Sequence, residues 1–165
     1  MSGVSTASLE ICAATENDVP LLLEFIRGIA EYEKLSHEVV ATEASVRQSL
    51  FGARPAAEAI IARWDGVPAG FAVCFTNFST FVGRPGLYLE DLFVKPEFRR
   101  HGIGRALFLH LARIAAARQC DRFEWVALDW NEPAHRFYEN LGARRLDDWR
   151  LYRMNGEALA RLVQS

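Results

Sequence analysis

Leu9, Ile11 and Ala13 alternate with Glu10 and Cys12, the period of two that predicts a short half-buried strand. Thr15 then opens a helix with Asp18 three residues on. Val19, Leu22, Leu23, Ile26 and Ala30 fall on one stripe before Glu31-Tyr32-Glu33 ends it. Thr42 repeats the capping logic for a shorter helix carrying Val46 and Leu50, broken between Gly52 and Pro55. Apolar runs at 59–64 and 70–75 flank Asp65-Gly66, a dipeptide that tolerates positive φ, and predict an antiparallel hairpin. A loop over residues 82–86 leads to a central strand over 87–94, which Pro96 ends.

Residues 103–118 predict a helix with Ile103, Leu107, Leu111, Ile114 and Ala115 on one face, and 122–128 a strand reached by a right-handed parallel crossover. Asn131 caps the next helix, Pro133 sits in its first turn and Gly142 closes it. A last strand around 149–152 and a short helix from about Glu157 complete one mixed α/β domain over 9–165, behind a flexible tail at 1–8.

The chain has 165 residues, half of them hydrophobic, and a formal net charge of -2. That length supports a self-sufficient core. The near-neutral charge argues against nucleic-acid binding, which needs a basic face, and no apolar run approaches the 18 or so residues of a membrane helix. Cys12, Cys74 and Cys120 are odd in number and far apart, so neither a disulfide framework nor a zinc cluster is indicated and a reducing cytoplasm is the expected compartment. The four histidines show no ligand-like pairing, so no metal is expected. Cys74, in an apolar strand, reads as inert packing.

The informative stretch is EDLFVKPEFRRHGIGR, residues 90–105, a strand delivered through a basic, glycine-containing turn into a helix start. Helix-opening amides lack helical acceptors and the macrodipole adds partial positive charge there, so such a turn binds anions. Alone, R-x-x-G-x-G equally describes a loop capping an exposed helix. A Walker loop is excluded, because no Gly-Lys-Ser/Thr occurs. A dinucleotide fingerprint fits poorly, with Leu107 in the third glycine's place and seven residues between Val94 and Gly102.

With WNEPAHRFYENLGA at 130–143 beside it, the chain resembles the GCN5-related N-acetyltransferases (GNAT) over nearly its whole length from Leu9. Tyr32-Glu33, Leu89-Glu90-Asp91 and residues 130–133 are similar to the diamine (spermidine/spermine-type) branch. The resemblance implies a central mixed, twisted sheet of six to seven strands flanked by about four helices, acetyl-coenzyme A as co-substrate, no metal, and a homodimer through the apolar segment 75–81. It implies that Leu92, Phe93 and Val94 offer backbone groups to the pantetheine arm. Arg99, Arg100, His101, Gly102, Ile103, Gly104 and Arg105 would cradle the pyrophosphate, and Asn131, Pro133 and Ala134 would line the pantetheine side. Tyr138 would be general acid at the sulfur, although spacing alone also allows a core aromatic beside Phe137.

Glu90 is the expected base, directly or through water, for a small cationic amine such as a diamine, polyamine or thialysine-like acceptor. Neighbours in a regular strand point to opposite faces, so Asp91 joins it only if a bulge intervenes, as GNAT proteins commonly have there. Tyr32, Glu33, Glu124, Trp125, Val126 and Asp147 are further candidates for holding the amine. Glu124 stands where the polyamine enzymes carry histidine, and residues 144–149 are shorter than theirs, which leaves the acceptor open. Acetylation of a protein or peptide, and acyl-coenzyme A binding without turnover, are the competing functions.

Overall fold

Asp65 and Gly66 both adopt positive φ, 50° and 79°, the pair of angles a two-residue type I′ turn needs. They fold β2 (Glu58–Trp64) back on β3 (Val67–Ser79) as the sequence predicts. The computed structural model describes residues 8–165, so residues 1–7 of the expected tail lie outside the described residues. Two compact units divide the chain, one ending at Val126 and the other running Ala127–Ser165.

In the first unit β1 (Leu9–Ala13), β2, β3, β4 (Arg84–Val94) and β5 (Arg122–Trp125) form one sheet in sequence order. The first four strands are antiparallel neighbours and β5 is parallel to β4. The parallel step is carried by the crossover helix α3 (Ile103–Ala117). On one face α1 (Val19–Tyr32) and α2 (Glu43–Phe51) bury Leu22, Phe25 and Val46 against Ile61, Phe71, Val73 and Phe93. Phe25 stacks on Phe71 with centroids 5.1 Å apart. The other face takes the buried stripe Ile103, Leu107, Phe108 and Leu111 of α3. Thr15 and Asp18 form the expected cap: the Thr15 amide donates to Asp18 Oδ2 at 2.8 Å, opening a 3-10 turn that leads into α1.

The second unit holds α4 (Glu132–Asn140) and α5 (Gly156–Val163). Asn131 Oδ1 accepts the Ala134 amide at 3.4 Å, and Gly142, at φ 91°, lets the Ala143 amide return to the Tyr138 carbonyl at 3.1 Å.

Among the described residues the sheet has five strands rather than six or seven, and there are five α-helices rather than about four. Among the described residues 149–152 form no strand. Their unit contains helices only, so the alternating Trp149 and Leu151 have no strand to pair with, and both side chains are exposed. β5 stops at Trp125 instead of 128. β4 begins at Arg84, inside the expected loop. Pro85 is tolerated because β5 pairing starts only at Gly86, so its missing N–H leaves no acceptor unfilled on that side. Gly86 is required for closeness: a Cβ there would lie 2.8 Å from Arg122 Cγ. No helix among the described residues is long and apolar enough to cross a membrane.

Candidate functional site

The β3–β4 ladder slips by one residue: Val73 opposes Asp91, Cys74 opposes Leu89, and Glu90 has no partner. Opposed residues share a face. Val73 lies in the core beneath α1 and α2, so Asp91 belongs to that side. Tyr88 opposes Phe75, two residues from Val73, and alternation from Tyr88 brings Glu90 to the same side. The bulge therefore presents two consecutive carboxylates on one face, which a regular strand would separate.

Asp91 is partly buried and Glu90 exposed. Burial, reinforced by the charges of Glu90 and of Glu33 just beyond α1, pushes the Asp91 carboxyl up to about 6. Burial also raises Glu33. Next to Glu33, the Tyr32 ring carries the Arg99 guanidinium 4.8 Å from its centre, and the same guanidinium lies 6.0 Å from the Phe93 ring. Arg99 Nε donates to the Val94 carbonyl at 3.1 Å. Tyr32, Glu33, Glu90, Asp91, Phe93 and Arg99 are thus brought together on the α1 side.

β4 pairs with β5 only from Gly86 opposite Arg122 to Leu89 opposite Trp125. Leu92, Phe93 and Val94 run on without that neighbour. Close to them, Gly102 immediately precedes α3; its φ of 77° suits glycine, and nothing lies within 4 Å of the place a Cβ would occupy. The Ala106 amide makes the bond back to Gly102 at 2.9 Å, so the amides of Ile103, Gly104 and Arg105 before it have no acceptor within the helix. An open strand edge leading to a bare helix start fits an extended arm that ends in a diphosphate. His101 braces the loop: Nδ1 lies 2.9 Å from the Arg99 carbonyl, in position to donate, and its ring centroid is 5.1 Å from that of Trp64.

The other expected residues have partners or surroundings of their own. Trp125 packs edge-on against Phe108 of α3, centroids 4.9 Å apart, on the opposite face from Asp91. Glu124 accepts a hydrogen bond from Asn77 Nδ2 at 3.0 Å and pairs with Arg122 Nε at 2.8 Å. Val126 is exposed. In the second unit, Asn131 caps α4, Pro133 and Ala134 form its first turn, and Tyr138 lies in its last. Asp147 pairs with Arg145 at 3.6 Å.

Sequence reading does not single out Arg27, Gly28 or Glu31, which with Tyr32, Phe93 and Arg99 line a cavity of about 600 Å³. The available signal was helical phase: Gly28 and Tyr32, like Arg27 and Glu31, are four apart on α1. Among the described residues no group of three or more His, Cys, Asp and Glu is placed to hold a metal.

The profile of the "Acetyltransferase (GNAT) family" matches residues 26–143. The chain is 37% identical to the thialysine N-epsilon-acetyltransferase of Sus scrofa, over 95% of this chain and 98% of that one. It is 30% identical to the L-ornithine N5-acetyltransferase of Arabidopsis thaliana, covering 88% and 84%. An integron cassette protein from the mobile metagenome of V. cholerae superposes with a TM-score of 0.80 at 29% identity, covering 96% of this chain and 99% of that one.

Proposed function

The chain belongs to the acetyltransferase (GNAT) family and is an N-acetyltransferase, and from that premise we propose that its acceptor is the terminal amine of a small cation: thialysine, ornithine, or a diamine of similar length. The observation that carries this reading is the bulge at Glu90, which gathers Glu90 and Asp91 within electrostatic reach of Glu33. Three carboxylates around one spot attract an ammonium group.

A primary ammonium, with a pKa of about 10.4, must lose a proton before it can attack, an uphill step of roughly 4–5 kcal/mol at pH 7. Glu90, the exposed carboxylate, takes that proton directly or through water, with the Asp91 carboxyl beside it. Acetyl-coenzyme A, when bound, supplies the thioester carbonyl that the freed amine attacks. Leu92, Phe93 and Val94 offer backbone groups to its arm, and the amides at residues 103–105, with Arg100 and Arg105, hold its diphosphate. Asn131, Pro133 and Ala134 complete the arm's binding, and Tyr138 donates the proton that the departing sulfur needs. These last roles rest on the motif at 131–143.

We also propose a homodimer. The β2–β3 pairing ends at Glu58 opposite Cys74, whereas β3 and β4 run on together to Ser79 opposite Arg84. The resulting arm has an unpaired edge and exposes Phe78 and Phe81. Light scattering that gives 18.6 kDa, the monomer mass, at working concentration would remove the dimer.

The function is tested by thiol release from acetyl-coenzyme A with thialysine, L-ornithine, putrescine, spermidine and N-terminal peptides, with products identified by mass. Turnover confined to the small amines supports the reading. Turnover on peptides alone, or tight cofactor binding with no thiol from any acceptor, overturns it.

A further inference from the structure

The cavity beside α1 carries charge of both signs. Arg99 and Arg27 line it together with Glu31 and Glu97, and none of these four forms an ion pair with another described residue. Arg99 is the best held. Its Nε is tied to the Val94 carbonyl and its guanidinium lies over the Tyr32 and Phe93 rings, so the planar fork is oriented before any ligand arrives.

Asp91 and Phe93 are two residues apart on one face of β4, a repeat of about 6.6–6.8 Å. Glu33 and Glu90 surround the Asp91 end, and Arg99 lies over the Phe93 end. Carboxylates therefore gather at the Asp91 end and a guanidinium beyond the Phe93 ring. That polarity suits a molecule with an amine at one end of a short chain and a carboxylate at the other.

We propose that Arg99 is a specificity-determining residue that binds the α-carboxylate of an amino-acid acceptor, with Glu31 and Glu97 facing its α-ammonium while the side-chain amine lies among Glu33, Glu90 and Asp91. The inference rests on the acetyl transfer to a terminal amine proposed above and narrows its acceptor. Guanidinium and carboxylate meet as a fork on a fork, a geometry that neither a lysine nor a carboxylate-free diamine reproduces.

Two matched pairs test it: L-ornithine against putrescine, and thialysine against bis(2-aminoethyl) sulfide. In each pair the second amine lacks only the carboxylate. The unaltered enzyme is expected to favour the carboxylated member in kcat/KM. In Arg99→Gln the loss on that member exceeds the loss on the diamine by ten-fold or more and lies in the amine KM, and Arg99→Lys recovers only part of it. L-Ornithinamide, whose carboxylate is masked, gives a readout on the unaltered enzyme and is expected to fall to the putrescine level.

Equal losses on both members of a pair, as a diphosphate-binding or purely structural Arg99 would give, overturn the inference and leave amine acetylation standing. So does an unaltered enzyme that favours the diamines or uses ornithinamide as well as ornithine. A protein that acetylates none of the amines removes the proposed function and this inference with it.

Discussion

Glu33, one residue past the end of α1, helps raise the proton affinity of Asp91 on the far strand β4. The carboxyl titrates near 6, inside the range where the enzyme can be assayed. We expect kcat/KM to fall as pH drops through about 6, because the cluster then gains a proton and loses its pull on the ammonium. Glu33→Gln removes one like charge and moves that limb to lower pH, and Asp91→Asn abolishes it. A limb unmoved by either change would detach Asp91 from the reaction.

The same cluster makes a prediction about stability. The folded Asp91 carboxyl holds its proton more tightly than the unfolded one, from a usual 3.8 to about 6. Its contribution is therefore present below about pH 4 and is lost as pH rises through 6. Asp91→Asn should stabilise the fold by about 1–3 kcal/mol at pH 7.5 and not at pH 4. Urea denaturation at the two pH values measures the difference, and a variant destabilised at both would contradict the like-charge account.

Tyr138→Phe and Glu90→Gln are each expected to lower kcat by about 10²-fold without abolishing it. Holding amine and thioester in attack geometry supplies roughly 7–11 kcal/mol, more than either proton transfer. A folded single variant with no residual turnover would reverse that ranking.

Gly102→Ala isolates backbone conformation, since an added Cβ would touch nothing. At φ 77° alanine costs about 1–2 kcal/mol, so the variant should melt earlier and bind acetyl-coenzyme A more weakly. Calorimetric titration showing unchanged cofactor affinity would separate the helix start from the diphosphate.

Burial pushes the Cys74 thiol up to about 11, while Cys12 is exposed. A thiol reagent at pH 7.5 should label Cys12 rapidly and Cys74 only on unfolding, with turnover retained. Loss of activity that tracks labelling of Cys74 would contradict its packing role.

Periodicity was enough to read α1, the Asp65-Gly66 hairpin and the α3 stripe, because local spacing alone decides which side chains face the core. It failed where pairing depends on distant neighbours. Pro85 reads as a break until β5 is seen to start beyond it, and Trp149 and Leu151 alternate like a strand without one beside them. At the site, Tyr32, Glu33, Glu90 and Asp91 were legible through the resemblance and do converge. Arg99 was read with its basic neighbours in the loop, although the fold lays it over an aromatic ring of α1. Trp125 and Glu124 look equally available in sequence, and only the parallel pairing shows which face each takes.

The unpaired Glu90 also marks where the proposed chemistry could be weakened. Removing that one position would let Leu89 and Asp91 follow each other in uninterrupted alternation, each still opposite its present neighbour on β3. The chain would lose an exposed carboxylate while the β3–β4 pairs on either side of it kept their partners. A relative with a regular β4, slowed as Glu90→Gln is expected to be, is thus a single codon away.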